Sequence, residues 1–450
     1  MKQISKETPI SGASTSIDVV TPIAEEQGEE SVNRSISFRR RLRRWFWHFI
    51  VRQFALLSII ALGIARWIGR RPKSTNDGEC EILLTGRFES DNWILAHLGP
   101  LSASKQCSRV WMVSTNPVPV MPKVVALYPP KWLMKTIGLV PARLLTFAWA
   151  AMRKRPHIVG GFHITVNGIA AVIVARLVGI RSMYFCVGGP AEVCDGGIHM
   201  AGSYFVKMET ADAVVERRLL KVIAASDMVV TMGTRAVGFF RDKGVDTDFY
   251  VVSGGIDPIR FQPAFEDPSY DLILTGRLVE IKRIDILLLA IRYIVDKLPD
   301  VKAVIVGNGK LREELHRMAK DLGINRNVSF VGFQDDIASW LQKSKIFVLT
   351  SDSEGLSLSM MEAMTTGLPA VVSDVGDLGD LVDDGVNGYL VPRRSPDLFA
   401  DRIIELLSDV QKLKAFSKAA RYSALRYTTE ATTAKWDNII EHYRTSYSQT

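Results

Sequence analysis

From Glu81 onward the chain repeats one alternation: a short apolar run, a polar loop, then a longer stretch with apolar positions three and four apart. In the first half it predicts strands over 81–85, 109–114, 157–160, 182–187, 227–231 and 248–252. Helices are predicted between them over 132–152, 166–178, 211–225 and 235–243. The second half starts again, with strands over 271–275, 301–306, 328–331, 346–350, 370–373 and 389–391, and helices over 284–297, 311–322, 336–343, 357–366 and 397–407. Apolar, β-branched strands that alternate with helices specify parallel sheets covered on both faces. Between the halves, Ser253-Gly254-Gly255-Ile256-Asp257-Pro258, with Pro263 and Pro268 after it, reads as a linker. The expected fold is α/β: two Rossmann-like, doubly wound domains, 76–253 and 254–425, facing one another across a cleft, with a helical segment over 426–450 packing back on the first.

The pattern before Glu81 is different. Residues 1–32 are rich in Ser, Thr and Glu with few bulky apolar groups, and are expected to be a disordered tail. Residues 33–75 begin with Arg34 and the run Arg39-Arg40-Arg41-Leu42-Arg43-Arg44, continue apolar from Trp45 to Ile68, and close on Arg70, Arg71 and Lys73. On a helix Arg41, Arg44, His48 and Arg52 share one face, and Trp45, Phe46, Phe49, Ile50 and Phe54 the other. The stretch between Arg52 and Arg66 is 13 residues, shorter than the roughly 17 to 25 that cross a bilayer. The first reading is a helix lying in the interface of an anionic membrane, on its cytoplasmic face, held by its arginines. A single span with snorkelled Arg52 and Arg66, and a core helix with a basic flank, are the alternatives.

Charge changes meaning once it is located. The net +8 of the 450 residues resides in residues 33–73, which hold ten Arg, one Lys and no acid, while residues 74–450 sum to +1. A nearly neutral body argues against a nucleic-acid partner, whose ligand needs a basic folded face. Cys80, Cys107, Cys186 and Cys194 form no C-x-x-C pair, so reduced structural thiols and no metal centre are expected. Neither a P-loop nor a G-x-G-x-x-G turn after a strand is present.

In doubly wound sheets ligands bind outside the carboxyl ends of the strands, which directs attention to the loops after Thr275, Val306 and Thr350. The first carries Arg277 and Lys282, either a clamp for a diphosphate or two solvated loop cations. The second is the tight turn Gly307-Asn308-Gly309. The third places Glu354, Gly355, Leu356 and Ser357 at the start of a helix, whose backbone N–H groups suit phosphate oxygens or sugar hydroxyls. Two turns on, Glu362 lies among Leu358, Met361 and Ala363, a costly place for a carboxylate without a partner. The plainer reading makes Glu354 and Ser357 helix caps and gives Glu362 an arginine from elsewhere.

These residues carry a resemblance. Gly276-Arg277 with Lys282, Val306-Gly307-Asn308-Gly309, Val331-Gly332-Phe333, Ser353-Glu354-Gly355 through Glu362-Ala363-Met364 to Gly367-Leu368-Pro369, and Gly385-Val386-Asn387-Gly388-Tyr389 span about 253–395 together with Gly255-Ile256-Asp257, Phe261 and Pro263. The set resembles the retaining GT-B glycosyltransferases of the glycogen-synthase-like and phosphatidylinositol-mannosyltransferase-like family, the family 4 type. The resemblance implies a donor site of Arg277, Lys282, Gly309, Glu354, Gly355, Leu356, Ser357 and Glu362. Within it Arg277 and Lys282 would bind the diphosphate of a UDP- or GDP-sugar, Glu354 the transferred sugar and Glu362 the ribose hydroxyls. No metal or other cofactor is implied. The acceptor expected beside a membrane segment is lipid-linked or a polysaccharide precursor.

The first domain departs from the family pattern. Thr85-Gly86-Arg87-Phe88-Glu89-Ser90 stands where the family has a Gly-rich loop, and Phe185-Cys186-Val187-Gly188-Gly189-Pro190 where it has a donor-contacting His. Gly188, Gly189 and His163 are the candidate contacts there, with a core histidine as the other reading of His163. A non-catalytic nucleotide-sugar-binding subunit and a GT-B-type epimerase or phosphorylase are the rival functions.

Overall fold

The computed structural model describes residues 23–69, 80–88, 90–199, 203–263 and 267–445. Residues 1–22 of the expected tail, and Arg70, Arg71 and Lys73, lie outside them. Two parallel sheets organise the chain. The first takes β1 (Cys80–Thr85), β2 (Cys107–Val113), β3 (Val124–Leu127), β4 (Ile158–Phe162), β5 (Arg181–Cys186), β6 (Met228–Thr231) and β7 (Asp248–Val251) in the order β3-β2-β1-β4-β5-β6-β7. The second takes β8 (Tyr270–Thr275), β9 (Ala303–Val306), β10 (Val328–Gly332), β11 (Ser344–Leu349), β12 (Ala370–Ser373) and β13 (Gly388–Val391) in the order β10-β9-β8-β11-β12-β13. This is the doubly wound pair that the alternation predicts.

The helices are α1 (Ile23–Ile68), α2 (Asp91–Ala103), α3 (Lys131–Ile137), α4 (Leu139–Lys154), α5 (Ile169–Val178), α6 (Ala213–Ile223) and α7 (Thr234–Asp242) in the first half. Then come α8 (Ile284–Val295), α9 (Arg312–Asp321), α10 (Ile337–Gln342), α11 (Leu358–Thr365), α12 (Pro396–Ser408), α13 (Val410–Ala424) and α14 (Thr429–Thr445). β3, α2 and α13 lie outside the predicted elements, and one predicted helix is divided. β3 is four residues long, half-buried and bracketed by prolines. α2 contains Gly99 and Pro100, and is started by the Ser90 hydroxyl accepting from the Trp93 N–H. The predicted helix 132–152 is two helices, broken at Gly138, whose φ is 89°.

The chain crosses between domains twice, side by side. Ile256 N donates to Tyr427 O and Thr429 N to Ile256 O, so the outgoing linker and the returning chain pair as a short bridge. α14 then lies on the first domain, where Trp436, Ile439, Ile440 and Tyr443 join the core under β1, β2 and β4. A third connection is polar. The N-terminus of α7 is met by carboxylates of the second domain: Asp380 accepts from Thr234 N (2.5 Å) and Thr234 Oγ1 (2.6 Å), Asp377 from Ala236 N (3.2 Å), and Asp374 pairs with Arg235 (2.8 Å). Gly233 is required here, because a Cβ would stand 2.3 Å from that of Asp377.

The N-terminal segment corrects two expectations. Helix α1 begins at Ile23, so the expected disorder over 23–32 gives way to helix, which Ala24, Glu25, Glu26 and Gln27 favour and Gly28 opposes. The arginine face is also turned inward. Arg40, Arg43 and Arg44 reach Glu209, while His48 and Arg52 reach Asp212 at 2.7 and 2.8 Å. Asp212 is fully buried and caps α6 through Val214 N and Val215 N. Burial alone would raise its carboxyl; the His48 and Arg52 donors outweigh that and hold it below the usual range. Behind this seam Val51, Ala55 and Leu62 pack into the same core as Val172, Leu219 and Ile223. The helix is therefore part of the first domain. Its outward face is apolar, exposing Trp45, Phe49, Leu57, Ile60, Ile64 and Trp67. Residues 39–68 are long and apolar enough to cross a membrane by length and composition.

Candidate active site

In the second sheet β8 and β11 are neighbours, while the strands that follow them lie on opposite sides, so their two loops open a crevice at the carboxyl edge. The chain ties the loops to each other. Asp352 N donates to Ile281 O, and Thr350 Oγ1 to the carbonyls of Lys282 and Arg283. Arg283, in the left-handed region at φ 46°, pairs with Asp285 and Asp352, and Arg394 clamps Asp352 from the other side. This bracing presents Lys282 to Glu354: Nζ lies 2.6 Å from Oε1, with the side chains 15% and 12% exposed. Charges so shielded from water interact strongly, and removing one partner of a buried pair costs about 3–5 kcal/mol.

The other residues implied by the resemblance lie on the loops after β8, β9 and β11 and on α11. Arg277 is exposed on the β8 loop. Ser357 caps α11 through Met360 N, and Leu356 is buried below it. Gly309 packs against the chain itself: a Cβ there would stand 2.3 Å from Leu278 O, so its glycine is explained by a backbone contact. Glu362 lies inside α11. Among the described residues no donor reaches its carboxylate, and burial raises it to about 7 against the opposing pull of Arg260.

The first domain closes the crevice with backbone. A Cβ at Gly355 would lie 2.4 Å from Val187 O, and one at Gly189, whose φ is 63°, would lie 3.5 Å from Glu354 O. Glycines on both sides thus let the two domains touch beside Glu354. Gly188 N donates to Glu192 Oε1 at 2.7 Å. His163, at the carboxyl end of β4, takes φ 64° and bonds the same Glu192 oxygen through Nδ1 at 2.9 Å, with its side chain 30% exposed. Glu192 is fully buried and also accepts from Ile164 N and Tyr184 Oη. Burial pushes its carboxyl up, but the His163 ring and the two backbone donors hold it below the usual range. The His163 ring is thus oriented by a buried carboxylate and partly exposed at the end of β4.

Glu192 and Asp377 are functional candidates that sequence reading missed. Each lies in a loop without periodic signal, and each gains its role only when the domains or strands meet. Asp377 is raised to about 6 by burial, and its Oδ2 has no hydrogen-bond partner among the described residues. Cys194, Asp195 and Glu216 also cluster, but Asp195 N and Lys243 already occupy Glu216 and His199 occupies Asp195.

Glu362 yields a prediction whose sign follows from its raised pKa. Below about pH 4.5 both folded and unfolded forms are protonated and no penalty exists; the penalty grows to about pH 7 and persists above it. Glu362→Gln should therefore raise Tm at pH 8 and leave it nearly unchanged at pH 4.5. If the carboxylate holds ribose hydroxyls, the same change should weaken UDP binding at pH 8. Thermal unfolding and calorimetric titration at both pH values check the pair of outcomes. A Tm gain of equal size at both values would show that Glu362 is not buried as a charge.

Residues 255–423 match the family model described as Glycosyl transferases group 1. The poly(ribitol-phosphate) alpha-N-acetylglucosaminyltransferase of Staphylococcus aureus (strain COL) is 34% identical over 167 residues, 37% of this chain and 34% of that protein. The UDP-Gal:alpha-D-GlcNAc-diphosphoundecaprenol alpha-1,3-galactosyltransferase of Escherichia coli is 25% identical over 309 residues, 64% of this chain and 76% of that one. The chain spans between 32% and 51% of the first three curated relatives it matches. The solved structure of sucrose-phosphate synthase from Thermosynechococcus elongatus superposes with a TM-score of 0.68 at 17% identity, covering 83% of this chain and all of that one. The two facing sheets are those of the GT-B fold, and residues 255–423 are similar to the glycosyl transferases group 1 family.

Proposed function

We propose that the chain is a retaining, metal-independent glycosyltransferase that moves a sugar from a UDP-sugar to a phosphate-bearing, lipid-linked or polysaccharide-precursor acceptor. The observation that carries this reading is the Lys282–Glu354 pair at the β8/β11 crevice. As the nucleoside diphosphate departs, negative charge grows on its phosphate and positive charge on the sugar ring. Lys282 and Arg277 neutralise the first, the Glu354 carboxylate lies on the side of the second, and Glu362 takes the ribose hydroxyls. The pair is thus a cation and a carboxylate already in place for the two charges that form. The choice of UDP and of a phosphate-bearing acceptor draws on the relatives, whose names specify UDP-Gal, diphosphoundecaprenol and poly(ribitol-phosphate). Purified protein with a panel of UDP- and GDP-sugars and lipid extract should transfer label to the lipid fraction with anomeric configuration retained in the presence of chelator. Lys282→Ala and Glu354→Gln should each lower kcat at least about a hundredfold. Transfer at the wild-type rate by either variant would remove the proposed roles.

The same reading sets the protein on the cytoplasmic face of a membrane, with α1 in the plane of the interface. One face of α1 is fixed to the first domain by Asp212, Glu209 and the Val51–Leu62 packing, so lipid cannot surround it, whereas the outward stripe from Trp45 to Trp67 is apolar. The free thiols Cys80, Cys107, Cys186 and Cys194 suit a reducing compartment. Wild-type protein should co-sediment with lipid vesicles. The double change Phe49→Glu with Ile60→Glu, at exposed positions, should abolish sedimentation while Tm stays within a degree or two. Undiminished sedimentation of the double variant would refute the in-plane assignment.

A further inference from the structure

The first sheet has its own switch point. β1 lies beside β4, and the strands that follow each leave to opposite sides, so the loops Gly86-Arg87-Phe88 and 163–168 face one crevice. The second loop is a π-helical turn entered through the strained His163, an uncommon backbone that concentrates at functional sites. Between the loops a cation is buried. Arg143 comes from α4, is 3% exposed, and donates through Nη1 to Gly86 O (3.2 Å) and through Nη2 to Asn167 Oδ1 (2.7 Å). The Asn167 amide is itself fixed by Nδ2 donating to Phe162 O at 2.7 Å.

Two properties separate Arg143 from a structural brace. Among the described residues no carboxylate pairs with it, and its Nε has no hydrogen-bond partner among them. A guanidinium taken out of water is ordinarily compensated by an anion, and here it has only neutral oxygens. The residue next to Gly86 is moreover a second arginine. Arg87 is exposed, has no acidic partner among the described residues, and stands close enough to lower the proton affinity of Arg143, which burial and Arg87 together bring to about 10. Two cations on one crevice, neither with an acidic partner among the described residues, repel each other unless an anion joins them. A phosphate answers both, because its oxygens accept paired guanidinium donors.

We propose that the crevice between the carboxyl ends of β1 and β4 is the phosphate subsite of the acceptor, with Arg87 as the contacting side chain and Arg143 beneath it as a fixed source of positive field. The inference rests on the glycosyltransferase reading for the word acceptor. The subsite itself is defined by the arginines. It lies in the first domain, apart from the donor phosphate site at Arg277 and Lys282, and Asn167 and the Gly86 carbonyl hold Arg143 where thermal motion cannot turn it away.

The test uses the full chain and crosses two variants with two kinds of ligand. Inorganic phosphate, glycerol 3-phosphate and farnesyl diphosphate are titrated against wild type, Arg87→Gln and Lys282→Ala, and UDP is titrated against all three. Arg87 is exposed, so its substitution leaves folding intact, and unchanged UDP affinity in Arg87→Gln verifies this. With UDP saturating the donor site, phosphate should bind Arg87→Gln about tenfold more weakly than wild type, the loss expected of one charge-assisted contact. Arg87→Lys should restore part of the affinity. Tighter binding of farnesyl diphosphate would assign the phosphate to a lipid-linked acceptor, and tighter binding of glycerol 3-phosphate to a water-soluble one; either supports the subsite. Phosphate affinity unchanged in Arg87→Gln, or no greater than that of acetate, overturns it. UDP affinity unchanged in Lys282→Ala would instead overturn the donor-site reading and leave the subsite standing.

Discussion

The crevice proposed for the donor depends on one buried ion pair, Lys282 with Glu354, held where β8 and β11 part company. Such a pair is expensive to desolvate, and the fold compensates by bracing both loops. Thr350 binds the carbonyls of Lys282 and Arg283, and Asp352 is gripped by Arg283 and Arg394. The bracing fixes opposite charges 2.6 Å apart in a site largely shielded from water, where fields act strongly and little reorganisation is needed. A reaction that creates opposite charges on phosphate and sugar needs that kind of prepared site.

The second constraint is closure. Glycines at 189 and 355 let the domains meet backbone to backbone beside Glu354, and the carboxylates of Asp377 and Asp380 cap α7 from across the cleft. Asp377 N in turn donates to Gly355 O. The loop that touches the reacting site is therefore the loop that holds the domains together, so a ligand that shifts Glu354 also loads the clasp. The paired crossings at Ile256 and Thr428 leave a narrow two-stranded connection about which such closure can turn.

How far the sequence disclosed this differs by element. Long apolar strands such as β8 and β11, buried on both faces, stand out because their pattern is continuous. β3 does not, being four half-buried residues between prolines, and Pro100 hides α2. The residues proposed to hold the donor, Arg277, Lys282, Glu354 and Glu362, could be picked out because they lie in two short loops and one helix whose motifs carry the resemblance. Glu192, Asp377 and Arg143 could not, since each acts on something distant in the chain: His163, α7 and Gly86. Helix α1 shows the same limit. Its two faces were readable, but which one turned inward was decided by Glu209 and Asp212, about 160 residues away, whose carboxylates captured the arginines.

The most direct test of the central claim is a co-crystal structure with UDP. The β-phosphate should lie within hydrogen-bonding distance of Lys282 Nζ, with Arg277 beside it and the Glu362 carboxylate on the ribose hydroxyls. A nucleotide seated away from the β8/β11 crevice, or one that leaves the Lys282–Glu354 pair untouched and Glu362 without a hydroxyl, would contradict it.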